Sequence, residues 1–328
     1  MTLATPSAPG ADAPRGVPVR VPITVKELKG KAEPDWCPGC GDFGVLAALK
    51  QAIADLGLYP HEVLVVSGIG CSSNLPGYIN TYGMHTLHGR ALAVATGAAL
   101  ANHEMKVVVT GGDGDGYGIG AGYFVNAGRR NLDLTYIVFN NGVYGLTKGQ
   151  GSPTLARGLQ TKSMPEPALQ DGVNPIALAV GAGYTFIARG FALDVKHLTG
   201  LIVAAVQHRG TAFLDVLQTC PTYNDLYTKE WYAGGRDSQP RLYKLEEAGY
   251  DPRVHDPSDP QEVVAKKLQA IGKSYEWGDR IPLGVYYQVD LPTYEQEAIA
   301  RRPRLGEVSL AELEIDGRDT QPLLDMLR

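Results

Sequence analysis

The sequence predicts an α/β protein built on a doubly wound, mostly parallel sheet. Three observations carry this. Short apolar runs such as Glu62 to Ser67, Lys106 to Thr110 and Leu134 to Phe139 read as strands buried on both faces. Helix-like segments alternate with them. The strand ends run into turns rich in Gly, Asn and Ser, and ligands of such sheets bind outside the carboxyl ends of the strands.

Taken in order, the first 25 residues are rich in Ala, Pro and Gly and include Arg15 and Arg20. They lack the apolar core of a secretory signal and read as a flexible tail. Asp35-Trp36-Cys37-Pro38-Gly39-Cys40-Gly41 is turn-rich. Phe43 to Leu56 reads as a helix, with Val45, Leu46, Leu49, Ile53 and Leu56 at helical spacing. The strand Glu62 to Ser67 leads into Gly68-Ile69-Gly70-Cys71-Ser72-Ser73-Asn74. Arg90 to His103 is a helix whose Ala and Gly allow close packing on a sheet. The Lys106 strand, a helix from Tyr117 to Arg130 and the Leu134 strand form the next unit. Asn174 to Gly181 and Asp194 to His208 read as helices, and Tyr184 to Ala188 and Ala212 to Gln218 as strands.

From about Asp225 aromatics, charges and prolines become frequent and the alternation fades. Gln261 to Ala270 is the clearest helix there. The expected organisation is a tail over 1–25, a cofactor-binding α/β domain over 26–225, and a helical C-terminal extension over 226–328 that contacts a partner.

Composition narrows the class. The chain has 328 residues, 44% hydrophobic and 20% charged, enough for a large buried core. Thirty basic and 35 acidic residues give a net charge of −5, which argues against nucleic acid or an anionic membrane as the main partner. The longest apolar stretches fall short of a membrane span and contain Gly and Pro. A cytoplasmic protein is expected, and its four cysteines, Cys37, Cys40, Cys71 and Cys220, are then not expected to form disulfides.

The chemistry sits at two strand ends. Gly112-Asp113-Gly114-Asp115 follows one strand, and Asn140-Asn141-Gly142 follows the next. Asp113 and Asn141 are 28 residues apart, one strand–helix–strand unit, so they can lie side by side at one sheet edge. A carboxylate, an amide oxygen and the backbone carbonyl of Val143 can together hold a hard cation bridging a diphosphate. The glycines would let the backbone approach phosphates, and the helix from Tyr117 would offer its N-terminus.

The cysteines leave more than one reading. Cys37-Pro-Gly-Cys40 alone suits a zinc knuckle, a redox dithiol or half of an iron–sulfur site. No strand precedes it, unlike a thioredoxin-type dithiol, and there is no second Cys-x-x-Cys pair, unlike many zinc sites. Cys71 lies in the glycine-rich turn and Cys220 follows a strand end, so all four can converge beside the diphosphate site. A [4Fe–4S] cluster there could take electrons from the cofactor.

Together, Trp36-Cys37-Pro38-Gly39-Cys40-Gly41, Ile69-Gly70-Cys71-Ser72, Leu87-His88-Gly89-Arg90, Gly112-Asp113-Gly114-Asp115 and Asn140-Asn141-Gly142-Val143-Tyr144-Gly145-Leu146-Thr147-Lys148-Gly149-Gln150 resemble the β subunit of 2-oxoacid:ferredoxin oxidoreductases, nearest the two-subunit, 2-oxoglutarate type. The resemblance spans residues ~30 to ~225 in the same order. It implies a thiamine-diphosphate fold and one [4Fe–4S] cluster on Cys37, Cys40, Cys71 and Cys220. It also implies Mg²⁺ on Asp113, Asn141 and the Val143 carbonyl. Ile69, Gly70, Cys71, Ser72, His88, Gly114, Asp115, Gly145 and Leu146 would contact thiamine diphosphate, with Leu146 and Lys148 near the 2-oxoacid. The implied reaction is oxidative decarboxylation of a 2-oxoacid, 2-oxoglutarate or pyruvate, with coenzyme A, giving acyl-CoA, CO₂ and reduced ferredoxin.

His88 precedes a helix N-terminus, where an imidazole can meet a phosphate. Lys148, the one cation of the Gly142 to Gly151 loop, can pair with a substrate carboxylate or a CoA phosphate. The carboxylate that activates thiamine, and the second α/β domain that usually carries it, are expected from an α subunit in an (αβ)₂ assembly. No Cys-x-x-Cys-x-x-Cys run is present, so a single cluster is expected. A non-oxidative thiamine-diphosphate decarboxylase, or a scaffold subunit with zinc on the cysteines, are the rival readings, and both exclude redox-active iron.

Overall fold

The computed structural model describes residues 21–235, 239–307 and 325–326. Most of the expected N-terminal tail lies outside them, as does the end of the C-terminal extension. The described strands are β1 (Val63–Ser67), β2 (Tyr82–His85), β3 (Lys106–Gly112), β4 (Leu134–Asn140), β5 (Val143–Tyr144), β6 (Gln150–Gly151), β7 (Phe186–Phe191), β8 (Thr211–Leu217), β9 (Leu242–Lys244) and β10 (Ile281–Gln288). The helices are α1 (Asp42–Asp55), α2 (Leu75–Tyr78), α3 (Ala91–Ala101), α4 (Ala121–Arg130), α5 (Pro175–Ala182), α6 (Val195–Gln207), α7 (Lys229–Tyr232), α8 (Pro260–Ser274), α9 (Tyr294–Arg301) and α10 (Arg304–Glu307).

Eight strands form one sheet in the order β2-β1-β3-β4-β8-β7-β10-β9. The first six are parallel, β10 runs antiparallel to β7, and β9 is parallel to β10. The expected doubly wound, mostly parallel architecture is therefore present. Alternate strand residues feed two cores, as a pleated strand buried on both faces requires. Val63, Val65, Val108, Ile137 and Leu214 meet α1 and α6 on one face. Leu64, Val66, Val107, Val109 and Tyr136 meet α3, α4, α5 and α8 on the other. Because β1, β3, β4 and β8 are parallel neighbours, their carboxyl ends share one edge, and all the predicted motifs lie there.

Four local features differ from expectation. The helix after β3 starts at Ala121, not Tyr117, and a single wide π turn, Gly114–Ile119, intervenes. Gly114, Gly116, Gly118 and Gly120 are poor helix formers, and the turn makes room for two tyrosine rings. β7 starts at Phe186 because Gly183 closes α5 in a left-handed conformation (φ 87°) and Tyr184 instead sends its hydroxyl to the Phe124 carbonyl at 2.9 Å. The exposed edge strand β2 lacks the apolar run that would mark it in the sequence. The C-terminal region carries the expected helices but also supplies β9 and β10. Pro282 and Gly284 masked β10, although their neighbours Ile281, Leu283, Tyr286 and Tyr287 are buried. No helix among the described residues is long and apolar enough to cross a membrane.

Candidate active site

A cleft at the shared strand ends is lined by Ile69, Cys71, His88, Asp113, Val143 and Leu146, among others. β3 and β4 are register neighbours, Gly112 opposite Phe139, so Asp113 and Asn141 follow adjacent strand ends as predicted. Asp113 is 1% exposed. Its Oδ2 accepts hydrogen bonds from the Gly142 N–H (3.1 Å), Ser152 Oγ (2.5 Å) and Thr154 Oγ1 (2.5 Å). Burial pushes this carboxyl up to about 6, against the opposing pull of the two hydroxyls. Asn141 Oδ1 accepts the Val143 N–H at 3.0 Å, and the Asn141 carbonyl accepts Asn224 Nδ2 at 2.7 Å. Both contacts fix the turn that presents Val143, which β5 pairs with Gly151.

Asp115 acts as a clamp. Its carboxylate, 2% exposed, accepts from Ile69 N (3.0 Å), Gly89 N (2.7 Å) and His88 Nδ1 (2.6 Å). It thereby ties the Ile69 and His88 loops together. Since the carboxylate only accepts, Nδ1 of His88 carries the proton, and Nε2 remains for the cleft. Gly114 lines the cleft, and a Cβ there would meet the Tyr144 ring on its other side. Gly112 is the open position, with Ser72 Oγ the nearest atom at 4.0 Å.

The cysteine segments meet at the same edge. The Cys37–Cys40 turn is closed by Cys40 N–H to the Cys37 carbonyl at 3.0 Å, and Gly41 N–H docks it on the end of β8 through the Thr219 carbonyl at 3.1 Å. Trp36 packs edge-on against Phe43 and Tyr78 and donates its indole N–H to the Cys71 carbonyl at 2.7 Å. Gln218 Nε2 donates to Cys40 Sγ at 3.1 Å. At Gly145 a Cβ would lie 3.2 Å from Cys71 Sγ and 4.0 Å from Cys220 Sγ. Burial raises the Cys71 thiol to about 12 and also raises Cys40 and Cys220. Such thiols become thiolates only where a cation compensates the buried charge. Among the described residues, no three His, Cys, Asp or Glu side chains converge tightly enough to hold a metal ion.

Leu146, 57% exposed, stands at the cleft rim. Lys148 lies beyond it in the β5–β6 hairpin, exposed, in a left-handed backbone (φ 88°) that is rare for a non-glycine residue.

One residue escaped the sequence reading. Asp42, 1% exposed at the start of α1, lines the cleft, and neither of its oxygens has a hydrogen-bond partner among the described residues. Burial pushes it up to about 7, against a smaller opposing pull from the neighbouring Cys40 thiol, and its charge in turn raises the Cys40 and Cys71 thiols further. An acidic residue in a first helical turn usually signals a solvated, dipole-stabilised group, so nothing in the sequence marked it.

Comparison with known proteins identifies the family. Residues 68–216 match the family described as thiamine pyrophosphate enzyme, C-terminal TPP binding domain. Residues 220–301 match the family described as the C terminal of the pyruvate ferredoxin oxidoreductase beta subunit. The chain is 54% identical over 300 residues to a 2-oxoacid:ferredoxin oxidoreductase subunit beta of Saccharolobus solfataricus, covering 90% of this chain and 95% of that one. It is 37% identical to the 2-oxoglutarate oxidoreductase subunit KorB of Mycobacterium tuberculosis, covering 92% and 90%. Among solved structures, a 2-oxoglutarate:ferredoxin oxidoreductase from Magnetococcus marinus with 2-oxoglutarate, coenzyme A and succinyl-CoA bound aligns with TM-score 0.78 and 35% identity, over 93% of this chain and 96% of that one. The chain belongs to the 2-oxoacid:ferredoxin oxidoreductase family, as a β subunit.

Proposed function

We propose that this β subunit, with its α partner in an (αβ)₂ assembly, converts 2-oxoglutarate and coenzyme A to succinyl-CoA and CO₂ in the cytoplasm. A single [4Fe–4S] cluster on Cys37, Cys40, Cys71 and Cys220 would supply the one-electron chemistry that links this reaction to ferredoxin. The observation that carries this reading is the meeting, at one sheet edge, of the Asp113–Asn141 pair and the cysteine segments. The relatives named for 2-oxoglutarate favour that substrate.

Bound thiamine diphosphate supplies an electron sink for the carbon that loses CO₂. This chain's residues do the holding. Asp113, Asn141 and the Val143 carbonyl are an all-oxygen donor set, which suits Mg²⁺. His88, pinned at Nδ1, meets the diphosphate with Nε2. Cys37, exposed, Cys71, half-buried, and Cys40 and Cys220, both buried, would hold the cluster, whose iron would supply the cation that thiolates at the three less exposed positions need. The buried Asp42 carboxylate lines the cleft next to Cys40, whose thiol is its one weak partner, and it could accept a hydrogen bond from a donor group of the bound cofactor.

The αβ complex should reduce ferredoxin only when both 2-oxoglutarate and coenzyme A are present; reduction without coenzyme A dependence would count against the acyl-transfer step. Lys148 is the proposed partner of the substrate's distal carboxylate. Lys148→Ala should raise KM for 2-oxoglutarate by about 10-fold or more while leaving pyruvate nearly unaffected, the loss expected for a charge-assisted hydrogen bond. Equal effects on both substrates would remove this role.

A further inference from the structure

Three donor groups crowd one oxygen of the Asp113 carboxylate. The Gly142 N–H, the Ser152 hydroxyl and the Thr154 hydroxyl lie 3.1, 2.5 and 2.5 Å from Oδ2. Thr154 Oγ1 also lies 2.9 Å from Asn140 Oδ1, and the Gly114 N–H gives the carboxylate a further backbone hydrogen bond. Ser152 and Thr154 enter from the strap after β6, far from Asp113 in sequence. The strap is tied down by Ser152 N–H donating to the Gly142 carbonyl at 3.1 Å. The two hydroxyl oxygens are 3.1 Å apart, and Ser152 is 7% exposed, so this is a built and largely dry cradle. Asn141 likewise has one lone pair of Oδ1 engaged by the Val143 N–H.

The choice of oxygen matters for the choice of ion. Mg²⁺ demands a small, near-ideal octahedron and takes one oxygen from each carboxylate. Ca²⁺ is larger, accepts six to eight oxygens, and often takes both from one carboxylate. A carboxylate whose Oδ2 is already bound by three donors has only Oδ1 to offer.

We infer that Ser152 and Thr154 determine metal selectivity: by sequestering Asp113 Oδ2 they enforce one-oxygen binding and so favour Mg²⁺ over Ca²⁺. They are positioning residues that act through Asp113. The inference rests on the metal reading proposed above.

The test is thiamine diphosphate binding to the purified αβ complex, followed by calorimetry with either Mg²⁺ or Ca²⁺ as the sole divalent ion. Ser152→Ala, Thr154→Val and Thr154→Ser are compared with the natural chain. Loss of an outer partner of a metal ligand typically weakens binding 10- to 100-fold, so Ser152→Ala and Thr154→Val should each weaken Mg²⁺-supported binding about 10-fold. Ca²⁺-supported binding should weaken less, because Oδ2, relieved of one of its three donors, becomes more available to the larger ion, and Thr154→Ser should restore the Mg²⁺ preference. An equal loss with both ions, or no change with either, overturns the inference while leaving the metal site standing. No divalent dependence in the natural chain overturns the metal reading itself. Either hydroxyl acts on the same oxygen, so one folded variant, verified by circular dichroism, suffices.

Discussion

Asp113→Asn should weaken metal-dependent binding of thiamine diphosphate by about 10³-fold, the equivalent of the 3–5 kcal/mol lost when one partner of a buried charge pair is removed. The side chain keeps its shape, and its remaining carbonyl oxygen can still accept from Gly142, Ser152 and Thr154. What disappears is the negative charge. The same substitution should make the cofactor-free chain more stable near neutral pH. Burial raises this carboxyl from the ordinary 3.8 to about 6 in the folded chain. The folded state therefore holds a proton that the unfolded state has released, and stability falls as pH rises through that window. Removing the charge removes the penalty. Calorimetric titration with thiamine diphosphate and Mg²⁺, together with urea unfolding of the cofactor-free chain, reads both effects. A variant that binds normally would exclude Asp113 as a metal ligand.

Asp42→Asn should show the largest stability effect. Its carboxyl is pushed up to about 7, is fully buried, and has no hydrogen-bond partner among the described residues. The sign is the same: a raised carboxyl favours the folded state at low pH, and that advantage is lost between 3.8 and about 7. As pH rises through about 7 the folded chain takes on a buried charge that only the Cys40 thiol offsets. The stability of Asp42→Asn relative to the natural chain should therefore grow by about 2–3 kcal/mol from pH 5 to pH 8 in the cofactor-free state, at roughly 1.4 kcal/mol for each tenfold change in proton affinity. Thiamine diphosphate should bind the variant more weakly, because the carboxylate that awaited its ring donors is gone. A gain in stability that is independent of pH would mean that Asp42 is protonated or partnered throughout, and would remove it from the site.

Both residues illustrate what the sequence could and could not reveal. Asp113 and Asn141 were legible because strand periodicity and glycine-rich turns fix the sheet edge, and one strand–helix–strand unit fixes their adjacency. The docking of the Cys37–Cys40 turn near Cys71 and the end of β8 followed from the same logic, since each segment borders a strand end or the helix packed behind it. Asp42 was not legible. It is buried where the Trp36–Gly41 turn docks on Thr219 and Cys71, past the ends of β8 and β1, a tertiary event with no local signal. Ser152 and Thr154 were equally silent, because their partner lies some 40 residues upstream across an irregular strap.

Local glycine arguments also met a limit. Gly114 leaves its Cβ position to the Tyr144 ring, a contact between residues 30 apart that no local pattern signals. A sequence shows that a side chain is missing but not what replaces it. β10 was hidden for a related reason: Pro282 and Gly284 break the strand pattern, and the strand forms because its neighbour β7 offers a buried edge.

On this account, the four cysteines carry a cluster which draws electrons from thiamine chemistry at the adjoining strand ends. The most direct measurement is the iron, acid-labile sulfide and zinc content of anaerobically purified αβ complex, with its visible spectrum before and after 2-oxoglutarate, coenzyme A and thiamine diphosphate are added. The contribution of this chain is isolated by a Cys220→Ser variant. About four irons and four sulfides assigned to the β subunit, lost in the variant, with visible absorbance bleached by substrate only in the natural complex, is the predicted result. Zinc without sulfide, or a cluster that substrate does not bleach, would contradict it.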